Sequence, residues 1–270
     1  MNALTSWIKQ YPFATFVVLS CALSWWMTPL NLGGLPTLPI GPLLAALVVI
    51  LVTKGRKGLR EWRRISFHWR VAPQWYVLAI AFPITMNAIA AGLNILLGAT
   101  ASTAVLPTNF MEWFVEAILV FILIAVGEEM GFSGFGLPHL LRKYTVLTTS
   151  VILGLTRVLW HVPLFMIGET AWPVALLLIP AQFVFTWLFI RSRGSAFLVI
   201  LSHASMAIVA FPIFSGMFAG ADFSRMVWLE TIVFVLTGAI LLLASKTMRS
   251  DVHPTDMLTE EVDAPAVAIP

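Results

Sequence analysis

Between Gln10 and Thr53 the chain runs for 44 residues without an aspartate, glutamate, lysine or arginine. One membrane span takes about 20 such residues. The turn-forming Asn31-Leu-Gly-Gly-Leu-Pro and Gly41-Pro42 divide the run, predicting spans at 12–30 and 38–53. Apolar runs broken by proline, glycine and charge predict six more, at 74–97, 112–135, 146–167, 172–190, 195–214 and 226–245. Lipid offers the backbone no hydrogen-bonding partner, so each run is expected to be helical. The fold class predicted is all-α, a polytopic membrane bundle of about eight transmembrane helices. A second span follows the first directly, and no A-x-A cleavage site is present, so the first is read as uncleaved. Residues 1–245 are expected to form one membrane domain without internal repeats. The polar, acidic, proline-bearing segment 246–270 is expected to be a disordered cytoplasmic tail.

Composition agrees: 59% of residues are hydrophobic, 11% are charged, and the mean hydropathy is +0.92. These values exclude an ordinary soluble domain. The single cysteine, Cys21, lies in the first span, so neither an internal disulfide nor a thiol metal cluster is possible. Lys9, the Lys54–Arg70 block, Arg142/Lys143, Arg191/Arg193 and Lys246/Arg249 supply fourteen of the sixteen basic residues, all in loops on one predicted face. Basic loops are retained in the cytoplasm, which places both termini there and suggests the plasma membrane of a prokaryote. The basic block, with Trp62 and Trp69, reads as an interfacial helix on the lipid bilayer; no nucleic-acid partner is implied. Arg225 falls in an opposite loop, and Arg157 falls inside a span.

Ionisable groups in a bilayer core are costly and usually face the bundle interior. Glu128 and Glu129 interrupt the fourth predicted span, Arg157 and His161 the fifth, and His203 the seventh. At 1.5 Å per residue, counted from the nearest basic loop, these lie roughly 21 Å (Glu128), 27 Å (His161) and 15 Å (His203) deep, close enough for tilted helices to bring together. Adjacent carboxylates stand about 100° apart on a helix, so one of the pair is expected to act while the other braces. A glutamate with two imidazoles can activate water. The same three donors, Glu128, His161 and His203, could hold a divalent metal such as zinc, although they do not form the local H-E-x-x-H pattern.

Gly127-Glu-Glu-Met-Gly-Phe-Ser-Gly, Leu159-Trp-His-Val-Pro163 and His203-Ala-Ser-Met-Ala207 together resemble the CPBP family of intramembrane proteases. That family includes type II CAAX prenyl endopeptidases and bacteriocin-processing or immunity proteins, and the likeness spans about residues 110–215. It implies hydrolysis of a peptide or membrane-protein substrate, with Glu128, His161 and His203 activating water beside Glu129. Three motif positions differ: Ser133 stands for the family's arginine, Arg157 for its aromatic and Ala207 for its asparagine or aspartate. Ser133 cannot make the i,i+4 ion pair with Glu129. Arg157, one turn before His161, is expected to bring the cation to Glu129 from another helix. Ala207 offers no such repair, for which water, Ser202 or Ser205 are the candidates. Trp160 is expected to shape the site.

Three other readings compete. A catalytically impaired family member could bind a membrane partner, as in immunity. Gly131-Phe-Ser-Gly134 also fits a rhomboid-like serine protease, with Ser133 as nucleophile and His203 as base. A proton-coupled transporter ranks last, because paired broken spans are not evident. Asn87, Asn94 and Gln182 are read as helix–helix hydrogen-bonding groups, and His68, His139 and His253 as loop residues. Trp25/Trp26, Trp75/Tyr76, Trp113, Trp172 and Trp228 fall near span ends, as an interfacial belt requires.

Overall fold

The computed structural model describes residues 3–30, 36–102 and 109–249, and these form helices and turns only. A short helix, α1 (Ala3–Gln10), leads into α2 (Pro12–Trp25), α3 (Gly41–Ser66) and α4 (Pro73–Leu96). A long helical run, α5 (Phe110–Leu141), is followed by α6 (Val146–Met166), α7 (Pro173–Arg191), α8 (Ala196–Ser215) and α9 (Gly220–Ala244). Proline within the first two positions starts α2, α3, α4 and α7, where its missing N–H costs nothing. Asn109, Thr145 and Ser195 cap α5, α6 and α8 through side-chain oxygens that accept backbone N–H groups.

Seven helices among the described residues are long and apolar enough to cross a bilayer, and the chain is an integral membrane protein. The predicted span at 38–53 is the apolar first part of α3. That helix continues past a kink at Gly55, where φ is +57°, into the basic stretch ending at Ser66. Counting it with the seven gives the expected number of about eight. The predicted tail falls almost wholly outside the described residues, as do the Asn31–Leu35 turn and His253.

Two expectations change with the packing. Trp62 is buried and its Nε1 donates to the Met130 carbonyl at 2.8 Å, so the basic half of α3 docks on α5 through this ring rather than lying free at the interface. Trp69 remains exposed. His139 is not a loop residue: it sits in the last turn of α5, stacked near Phe13 and Phe135 with ring centroids 6.3 and 5.6 Å away.

The basic turns gather at one end of the bundle, where Ser195 Oγ donates to the His68 carbonyl at 2.6 Å and the Arg191 guanidinium lies 5.9 Å from the Trp75 ring. Burial, then the charge of Arg64, pushes the His68 imidazole below its usual range, so arginine and lysine carry the charge of this end. At the other end Asn94 joins α4 to α9, its Nδ2 donating to the Asp222 carbonyl and its Oδ1 accepting from Arg225 Nε.

Between helices in lipid no hydrophobic force operates, and small residues let backbones approach. α5 crosses α3 in this way: a Cβ on Gly131 would stand 2.5 Å from the Pro42 carbonyl carbon, and one on Gly127 2.9 Å from Ile40 Cγ2. This contact fixes the height of the Glu128–Glu129 turn. Gly131→Ala is therefore expected to cost about 1–3 kcal/mol in a denaturation series in detergent micelles. Gly92→Ala, at a glycine with open space around it, should leave stability unchanged or slightly higher; equal losses for the two would contradict the close-approach role.

Candidate active site

α5 is not uniform. Phe121–Val126 and Phe132–Gly136 are π-helical and bracket one α-helical turn, Gly127–Gly131, that carries both glutamates. α8 changes at Met206 from α-helix to a π-helical stretch ending at Ser215, just after His203. π-helical insertions re-aim side chains and recur at functional sites.

The two glutamates diverge. Glu129 is fully buried and accepts three bonds: Arg157 Nη2 donates to Oε2 at 2.6 Å, Ser133 Oγ to the same oxygen at 2.5 Å, and His203 Nδ1 to Oε1 at 2.9 Å. Arg157 comes from α6 and is held by its Nε donating to Gln182 Oε1 on α7 at 2.7 Å. Its guanidinium lies 4.5 Å from the centre of the Phe132 ring and 5.4 Å from that of Phe185. Gln182 is thus a helix–helix group as expected, but its partner is the central cation. Nothing in its surroundings along the sequence marked it for that role.

Glu128 turns the other way. It lines a cavity of about 540 Å³, shared with Arg157, His161, Gln182, His203 and Ala207. Its Oε2 has no hydrogen-bond partner among the described residues, and the nearest cation, Arg157 Nη1, is 4.0 Å away.

The imidazole tautomers follow from their partners. His161 Nδ1 lies 2.8 Å from the Arg157 carbonyl, which only accepts, so Nδ1 donates and Nε2 keeps its lone pair. His203 Nδ1 donates to the Glu129 carboxylate, which likewise leaves Nε2 for the cavity. Trp160 sets the angle of His161: its ring packs edge-on against the imidazole at 4.8 Å, and its Nε1 donates to Ser24 Oγ at 2.9 Å.

Several candidates sit elsewhere. Ser133 Oγ is spent on Glu129, and the carboxylate stands between it and His203, so no serine–imidazole pair forms. Ser205 Oγ donates to the Ile80 carbonyl, and Ser202, though unpartnered, does not line the cavity. Neither takes over from Ala207. Among the described residues no three His, Cys, Asp or Glu side chains form a group that could hold a metal ion. The guanidinium beside Glu128 also opposes a divalent cation there. The residues do not fit the metal that their types suggested.

Sequence reasoning missed one ionisable group. Glu230, on α9, is buried and lines the same cavity. It lies in an apolar run with no second polar group of the kind that marked Glu128–Glu129, so only its position inside a span could have revealed it.

Residues 110–209 match the family described as "Type II CAAX prenyl endopeptidase Rce1-like". A curated relative, CAAX prenyl protease 2 of Methanococcus maripaludis, is 26% identical over 107 residues, which cover 35% of this chain and 40% of that protein. The chain thus matches less than half the length of that relative. The family match falls on the stretch in which α5, α6 and α8 bring the glutamates, the arginine and the histidines together. Over residues 110–209, therefore, the chain is similar to the Rce1-like type II CAAX prenyl endopeptidases.

Proposed function

We propose that the protein is an intramembrane endopeptidase in which Glu128 acts as general base on a water molecule. The observation that carries this reading is the division of labour at the paired glutamates. Glu129 is saturated by Arg157, Ser133 and His203, whereas Glu128 keeps an unpartnered, buried Oε2 and lines a cavity that His161 and His203 share.

Water bound between Glu128 and the imidazoles gives its proton to Glu128 while its oxygen bonds to the substrate's carbonyl carbon. The Nε2 lone pair of His161 accepts the remaining O–H and orients the attack, with His203 beside it. Negative charge then grows on the carbonyl oxygen. Ala207 cannot donate to it, so the cationic Arg157, which also lines the cavity, is the group available to stabilise it. The C–N bond breaks as Glu128 returns its proton to the leaving amine, giving a carboxylic acid and an amine. No metal takes part in any of these steps.

The substrate is a peptide or a membrane-protein segment reached from the bilayer. The relative's name supports prenylated chains as one class to test. By the retention of basic loops, the end of the bundle carrying the lysines and arginines faces the cytoplasm, with the plasma membrane as its setting. Binding of a membrane partner without turnover is the second reading, supported by the methyl group of Ala207 where a polar side chain would assist.

Purified protein and tagged membrane peptides separate these readings. Glu128→Gln and His161→Ala are each expected to lower cleavage at least about 100-fold, whereas chelator leaves it unchanged. Peptide capture by the wild type without cleavage would favour the binding role; cleavage retained in Glu128→Gln but lost in Ser133→Ala would favour serine chemistry.

A second prediction concerns the cation. Arg157→Phe removes the partner of a buried carboxylate and is expected to cost about 3–5 kcal/mol in detergent unfolding. Adding Ser133→Arg restores the family's i,i+4 pair on α5 and should recover most of that loss. A double variant no more stable than Arg157→Phe would show that the guanidinium does not hold Glu129.

A further inference from the structure

Glu230 lies on α9, away from the three helices that carry the paired glutamates and the histidines. It is 1% exposed, and neither of its carboxyl oxygens has a hydrogen-bond partner among the described residues. Its polar neighbour is Asn87 on α4, which turns its Nδ2 back to the Pro83 carbonyl of its own helix and leaves Oδ1 unpartnered as well. Three acceptor oxygens, two on Glu230 and one on Asn87, thus lack a hydrogen-bond partner among the described residues, against the one remaining N–H of the Asn87 amide. Such an excess of acceptors is costly unless something supplies N–H groups.

The cavity it lines points to what does. Glu230 shares that wall with Glu128 and with Glu169, an exposed residue of the α6–α7 turn, against one cation, Arg157. The charge facing the cavity is thus mainly acidic, and much of the remaining lining is apolar, including Leu177, Leu178 and Phe211. Lysine and arginine side chains combine an apolar stem with a head that only donates. They complement an acceptor-only group at the wall of an apolar cavity.

We propose that Glu230, with Asn87, is a specificity subsite that takes a lysine or arginine side chain of the substrate peptide. The inference rests on the peptidase reading for its substrate, but not for its binding test. A basic residue within an otherwise apolar segment would distinguish a substrate from the many apolar helices around it.

The test uses apolar reporter peptides in which one lysine is moved through successive positions, each paired with a norleucine peptide of equal length. Arginine replaces lysine in a third set. Binding is measured on the Glu128→Gln protein, so that it does not depend on turnover, and cleavage is measured on the protein with Glu128 intact. At one register lysine is expected to improve affinity at least about tenfold over norleucine, with loss of that preference in Glu230→Gln and its return in Glu230→Asp. Glu230→Lys should instead favour the peptide carrying glutamate at that register. A purely structural Glu230 would alter thermal unfolding in detergent but leave the lysine-to-norleucine ratio where it was.

A preference that survives Glu230→Gln, or no register in which lysine exceeds norleucine, overturns the subsite. Glu128-dependent cleavage that ignores lysine at every register sinks the subsite and leaves the peptidase intact. Glu230-dependent lysine binding without cleavage of any peptide does the reverse.

Discussion

The structure depends on keeping one carboxylate charged where no solvent reaches it. Glu129 is fully buried, and an unpaired charge in that position is among the most destabilising features a bundle can carry. Arg157, Ser133 and His203 satisfy it from two other helices and from the next turn of its own. One side chain thereby joins α5, α6 and α8. It also sets His203 in the tautomer that leaves Nε2 facing the cavity, and it frees Glu128 to face the same space. The buried pair therefore contributes specificity of arrangement, a role distinct from net stability.

Backbone irregularity serves the same end. An uninterrupted α-helix through 121–136 would keep Glu129 in phase with Ile122, an exposed residue two turns before it. The first π-helical stretch breaks that phase, and the glycines at 127 and 131 let the turn press against α3. Trp62 and Trp160 then lock the surroundings through hydrogen bonds to Met130 and Ser24. The glutamate turn is held by close packing on one side and by ionic contacts on the other.

Much of this was legible in the residues themselves. The apolar runs and their proline and glycine breaks marked the helices, because lipid leaves the backbone no alternative. Glu128, Glu129, Arg157, His161 and His203 were conspicuous as polar groups where polarity is expensive. The depth of α3 was harder to read, since its apolar part is short and the helix continues through Gly55 into a basic stretch. Gln182 resembled many membrane glutamines, and only the three-dimensional meeting of α6 and α7 shows it holding Arg157. Glu230 stood alone in its segment, and its link to the cavity depends on how α9 packs against α7 and α4. Pattern reveals which groups must be buried, whereas the choice of partner is decided by packing.

The most direct measurement is an experimental structure with a non-hydrolysable peptide whose scissile carbonyl is replaced by a tetrahedral phosphinic group. The account predicts that group within about 3.5 Å of the Glu128 carboxylate and the free ring nitrogens of His161 and His203, with Arg157 still bound to Glu129. A peptide seated away from Glu128, or an Arg157 side chain turned out to lipid while Glu129 remains buried, would contradict it.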